Sequence, residues 1–145
     1  MKISTKGRYA LRLMIDLAEH RDDGFIALKD IAERQGISKK YLEQIIPMIN
    51  TPELLQTNRG FQGGYRLAMP PEKYTVGMIL RLTEGNMAPV ACLAQSPNSC
   101  ERAEDCPTLF IWEGLNRVIT DYLDSITVQD ILDRQSEGYS NNYVI

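Results

Sequence analysis

The chain has 145 residues, 43% hydrophobic and 24% charged, which is enough to bury a core as one domain with or without an appendage. No apolar run approaches the roughly 18 residues of a membrane span, and the opening MKISTKGRYALRLMIDLAEH is broken by charge, unlike a secretory leader, so a cytoplasmic protein without a membrane segment is expected. A net charge of −3 speaks against nucleic acid on average, yet residues 1–66 carry eleven Lys and Arg against eight Asp and Glu, while residues 67–145 carry five against eleven, so one basic face is available to an anion.

Ser4 or Thr5 can cap a helix running to about Glu19, with Tyr9, Ala10, Leu13, Met14, Leu17 and Ala18 on one face. Arg21 to Gly24 is a turn. A second helix is expected from Leu28 to Gln35, with Leu28, Ile31 and Ala32 inward. Gly36 ends it, Ile37 plugs the turn, and Ser38 caps a third helix, Lys39 to about Ile49, whose apolar stripe is Tyr41, Leu42, Ile45 and Ile46. LKDIAERQGISKKYLEQII thus reads helix, short glycine turn, helix, with the small Ala32 where two helices approach. In a helix-turn-helix the start of the second helix reaches base edges in the major groove. A plain helical hairpin shares the pattern.

Two strand-like runs follow, Leu54–Thr57 and Tyr65–Ala68, joined by Asn58-Arg59-Gly60-Phe61-Gln62-Gly63-Gly64. The glycines suit a hairpin tip, and Arg59 sits on it. Directly after a recognition helix such a hairpin is a wing, whose arginine can enter the minor groove or grip phosphate. An ordinary surface hairpin would need the glycines for turn geometry alone. Thr75 caps a helix to about Glu84, stopped by Gly85. Pro107 opens a long helix to about Asp124, with Ile111, Trp112, Leu115, Val118, Ile119, Tyr122 and Leu123 as its apolar stripe. That helix packs back on its own domain or pairs with its copy in a second chain; a DNA reader meeting two half-sites favours the second. Thr127 and Asp130 form a capping box for a last short helix, and GYSNNYVI reads as a loop with a docked end.

All three cysteines lie in one stretch, CLAQSPNSCERAEDC, as Cys92, Cys100 and Cys106. In a reducing compartment such a cluster points to metal binding or redox sensing rather than to a disulfide framework, and three thiols cannot all pair within one chain.

MKISTKGRYALRLM, ISKKYLEQI, NRGFQGGYRL and the cysteine loop before a long helix resemble the IscR/NsrR/CymR family of bacterial winged-helix repressors, the Rrf-type regulators, over nearly the whole chain. The resemblance implies a mainly α-helical fold with a small β-hairpin wing: a winged helix-turn-helix plus a long C-terminal dimerisation helix. The parts would be residues 1–70 for DNA binding, 71–91 as a connecting helix, 92–106 as the cysteine loop, 107–135 as dimerisation helices and 136–145 as a tail. It implies a homodimer acting on double-stranded DNA at near-palindromic operators, in response to iron–sulfur, nitric oxide, redox or cysteine status. Carried over by position, DNA contacts fall on Ser38, Lys39, Lys40, Tyr41, Glu43 and Gln44, on Arg59 and Gly60 of the wing, and on Ser4 and Lys6 at the start of the first helix, where free N–H groups favour phosphate. Gln44 can read adenine and Glu43 can accept from cytosine while repelling phosphate. Lysines such as Lys39 and Lys40 also simply solvate helix faces.

By the same resemblance Cys92, Cys100 and Cys106 hold a [2Fe-2S] cluster. IscR-like members have a histidine three residues after the last cysteine, where this chain has Leu109; NsrR-like members have a first-helix carboxylate where it has Arg8. The fourth ligand then comes from Glu101, Glu104 or Asp105, from water or an outside thiol, or from a partner protein; the one histidine, His20, reads as a surface residue. A second function keeps the DNA-binding fold but senses through bare thiols or a partner protein; acidic neighbours, by raising the thiol pKa values, count against it. A third, a thiol oxidoreductase, lacks a Cys-x-x-Cys or a Cys–His pair, so no enzyme is expected. A fourth, a zinc scaffold, would use the same three thiolates.

Overall fold

The computed structural model describes residues 1–143. They form α1 (Thr5–Glu19), α2 (Leu28–Gln35), α3 (Lys39–Ile49), β1 (Leu55–Asn58), β2 (Gly64–Leu67), α4 (Val76–Glu84), α5 (Leu109–Ser125) and α6 (Val128–Tyr143). The architecture is mainly α-helical with one antiparallel hairpin.

The helix boundaries follow local chemistry. The Ser4 hydroxyl accepts from the Gly7 N–H at 3.2 Å, Ser38 from Tyr41 at 3.1 Å and Thr75 from Met78 at 3.0 Å, each satisfying one donor that a helix start leaves open. Gly36 ends α2 in the left-handed region at φ 63°, which glycine adopts without a side-chain clash. Thr127 and Asp130 exchange hydrogen bonds at 2.8 and 3.1 Å, a complete capping box for α6.

α1 is the hub. Ala10, Leu13, Met14, Leu17 and Ala18 are fully buried, in one cluster with Ile31, Leu42, Ile45, Ile49, Ile79 and Val128. The same core thus reaches α4 and the start of α6. The buried Tyr74 donates to the Leu54 carbonyl at 2.6 Å and accepts from the Met69 N–H at 3.0 Å, and burial pushes its phenol pKa up. The hairpin is tied to the chain entering α2 by two hydrogen bonds between Ile26 and Tyr65, at 2.8 and 2.9 Å. A Cβ on Gly64 would lie 2.2 Å from the Ile26 carbonyl oxygen, so only glycine allows that approach.

Three expectations need correction. The strands run Leu55–Asn58 and Gly64–Leu67, one residue toward the tip from the runs expected, because pairing continues to Asn58 opposite Gly64. The last helix is not short: α6 has 16 residues, and 138–143, expected as loop, are helical. Gly138 is accommodated inside it, at about 1 kcal/mol relative to Ala; a docked end at Val144 and Ile145 lies outside the described residues. Third, the α5 stripe is two stripes. Trp112, Ile119 and Leu123 are half-buried, whereas Ile111, Leu115, Val118 and Tyr122 are 44%, 42%, 65% and 63% exposed. Among the described residues no helix is long and apolar enough to cross a membrane.

Candidate nucleic-acid interface and cysteine loop

The start of α3 and the hairpin stand on one face. A cleft of about 350 Å³ between them is lined by Lys29, Lys39, Glu43, Asn58 and Gly60, among others. Ser38, Lys39, Lys40, Glu43, Gln44, Arg59 and Gly60 are all exposed. The Ser38 hydroxyl accepts from the Tyr41 N–H and keeps its own proton to donate outward. Lys39 and Glu43 form an exposed i,i+4 pair at 3.8 Å. Tyr41 packs its ring edge-on against Tyr9 at 5.5 Å between centroids, with the Arg12 guanidinium 5.3 Å over the Tyr9 ring. Its ring therefore braces α3 on α1.

The start of α1 differs from expectation. Glu84, the last residue of α4, accepts from both the N–H and the hydroxyl of Ser4, at 3.1 and 2.6 Å. A Cβ on Gly7 would meet the same carboxylate oxygen at 2.2 Å. The anion place at this helix N-terminus is thus filled from within by Glu84, and Ser4 has neither donor left for phosphate. Lys6 is half-buried beside it. No sequence signal pairs residues 4 and 84; only the packing of α1 on α4 does.

At the hairpin tip Gly60, Phe61, Gln62 and Gly63 make a turn closed by a 2.9 Å bond from the Gly63 N–H to the Gly60 carbonyl. Phe61 is 96% exposed, a residue that attention to Arg59 and the glycines passes over. The signal for it is a large aromatic inside a glycine-rich turn.

The loop between α4 and α5 holds three free thiols, Cys92 and Cys106 half-buried and Cys100 exposed. Its base is fixed by the Asn86 side chain, whose Oδ1 accepts from the Ala88 N–H at 2.7 Å and whose Nδ2 donates to the Ala94 carbonyl. Among the described residues no group of three His, Cys, Asp or Glu side chains is assembled to hold a metal. Leu109 is the first residue of α5 and Arg8 donates to Thr5 at 3.1 Å, so neither supplies a ligand. Glu101, Glu104 and Asp105 are exposed. His20 is half-buried rather than a surface residue, its Nδ1 2.9 Å from the Asp16 carbonyl oxygen. The expected raising of the thiols by acidic neighbours fails at Cys106. Hydrogen bonding from Thr108, whose Oγ1 lies 3.6 Å from the sulfur, holds that thiol below its ordinary value, and Arg102 adds to the effect.

Helix, glycine turn, capped second helix and a hairpin beside its exposed start define a winged helix-turn-helix protein. A profile of the Rrf2 family, described as an iron-dependent transcriptional regulator, matches residues 3–134. IscR of Aliivibrio salmonicida (strain LFI1238), an HTH-type transcriptional regulator, is 36% identical over 145 residues, spanning 94% of this chain and 85% of that one. The structure of CymR, the global cysteine regulator of B. subtilis, superposes with a TM-score of 0.74 at 35% identity, over 92% of this chain and 98% of that one. IscR of T. potens also superposes at 0.74, with 38% identity, over 95% and 90%. The chain belongs to the Rrf2 family of transcriptional regulators.

Proposed function

We propose that this regulator is a homodimeric repressor that binds near-palindromic double-stranded DNA and senses iron–sulfur or redox status through a [2Fe-2S] cluster on Cys92, Cys100 and Cys106. The observation that carries it is the exposed cleft shared by the α3 N-terminus and the wing, in a chain that also keeps three unpaired thiols in one loop. Lys39, Lys40 and Arg59 supply phosphate and groove contacts, and Gln44 and Glu43 supply base discrimination. In such a protein residues 1–70 are the DNA-binding part and the exposed stripe of α5 meets its copy in the second chain. The thiols fit the cluster by donor chemistry: soft, free of disulfides, and on a loop flexible in composition. The cluster, when bound, supplies a redox- and iron-sensitive charge at that loop. The loop begins two residues after Glu84, the end of α4, which is bonded to Ser4 at the start of α1, and both helices pack against the helix-turn-helix.

A second reading, sensing by thiol oxidation or through a partner protein without a cluster, is favoured by one observation, the Thr108 hydroxyl 3.6 Å from the Cys106 sulfur, a contact that favours the thiolate. The likeness to CymR, a cysteine regulator, accords with it.

Anaerobic purification with iron and acid-labile sulfide assayed per chain separates the two. A red-brown protein with about two of each, lost in Cys92→Ala without loss of fold, is the expected result. A colourless protein that cannot be reconstituted would transfer the sensing role to the bare thiols.

A further inference from the structure

Among the described residues Phe61 is the most exposed of the large hydrophobic side chains, at 96%, and it stands at the tip of the hairpin. The turn that carries it is built with some strain. Gln62, the residue after it, has φ 62°, a left-handed conformation rare for a residue with a side chain. With a positive φ at Gln62 and none at Phe61, the turn has the type II pattern, which places Phe61 at its first central position, the vertex of the hairpin. The turn is also fixed from below: a Cβ on Gly63 would lie 2.5 Å from the Asn58 carbonyl oxygen and 2.8 Å from that of Gly60, so the hairpin closes tightly there. An aromatic ring is therefore presented to solvent by a closed turn, one residue beyond Gly60 of the α3 cleft and two beyond Arg59.

We infer that Phe61 is an apolar wedge for duplex DNA: the wing enters the minor groove beside each half-site, Arg59 takes the groove charge, and the Phe61 ring inserts against one base step and unstacks it. The inference rests on the DNA-binding reading above and deepens it. A ring with no polar atom gains nothing from phosphate, so what recognises it is the π-face of a base, exposed where stacking is weakest. Pyrimidine–purine steps open most readily, so Phe61 selects for such a step at a position where the protein makes no hydrogen bond. Arg59 and Phe61 divide the work: one contact is electrostatic and salt-dependent, the other apolar and salt-independent.

The test uses the full chain and a duplex selected by the wild-type protein from a randomised 30-base-pair library, with 2-aminopurine placed in turn at each step across the site. Wild-type binding should raise the fluorescence at one step in each flank. Phe61→Ala should abolish that rise and weaken binding by about 10- to 100-fold, with an unchanged salt slope; Phe61→Leu should restore most of both. Arg59→Ala should instead lower the slope by about one. Because the ring is 96% exposed, the melting temperature of Phe61→Ala should match wild type, which reports folding directly. Equal affinity and equal fluorescence for wild type and Phe61→Ala would overturn the wedge while leaving the regulator reading intact. Failure of the wild type to enrich any duplex would overturn both.

Discussion

Asp16 is the one buried charged residue in the core of the described chain, at 1% exposure. Its carboxylate is satisfied by a bidentate Arg34, at 2.8 and 3.1 Å, and by the Gln35 amide at 3.0 Å, so it pins the end of α2 to the last turn of α1. The pair holds the guanidinium above its ordinary pKa. Asp16→Ala would leave Arg34 and Gln35 without their acceptor beneath the helix-turn-helix. The expected loss is about 2–3 kcal/mol in urea unfolding, less than for a fully buried pair because Arg34 can turn to water. A loss under about 0.5 kcal/mol would show that the clamp is dispensable. The helical pattern of α1 placed Leu13, Leu17 and Ala18 inward correctly. It was silent on Asp16, whose partners come 18 and 19 residues later and are brought to it only by the angle between the two helices.

At the level of the element, α3 was readable almost to the residue. Gly36, Ile37 and Ser38 act through bonds spanning three to five residues, and such chemistry is written in the local sequence. What was not readable is the charge state of its exposed face. Glu43 holds Lys39 at 3.8 Å, so one cleft lysine is partly engaged and a carboxylate lines the same cleft. Glu43→Ala should therefore raise affinity for non-specific duplex, by roughly two- to fivefold, while narrowing the gap between the selected site and its single-base variants. Competition binding against a panel of variants checks this; an unchanged specificity ratio would remove Glu43 from base readout. α6 shows the opposite case. Gly138 marks an end in local reading, yet a glycine at about 1 kcal/mol does not break a helix whose first turn is capped and whose Val128 lies in the core.

For the whole molecule, α5 carries the argument. It has no buried residue, and its inner stripe reaches α4, where Arg81 and Asp124 pair at 2.6 Å. Its outer stripe, Ile111, Leu115, Val118 and Tyr122, repeats at four, three and four residues and is left exposed by the described residues. A second copy of the same helix is the cover the proposed dimer offers. Val118→Asp, at a site 65% exposed and so not needed by the monomer fold, should halve the mass in light scattering and reduce affinity for a two-half-site duplex on the order of 100-fold. A dimer that survives this change would place the interface elsewhere.

The residue pattern alone reached the class of protein, because helix caps, the glycine turn, the hairpin and the cysteine spacing all act over a few residues. It also nominated Arg59, from its place on the hairpin tip, and the three clustered cysteines, while Lys39 and Lys40 were nominated by the family resemblance. Packing decided the rest. It filled the start of α1 with Glu84, 80 residues away from Ser4, divided the α5 stripe between an inner and an outer face, and set Phe61 at the vertex of the wing. Burial and pairing depend on which surfaces meet, and that is a property of the folded chain rather than of any window along it.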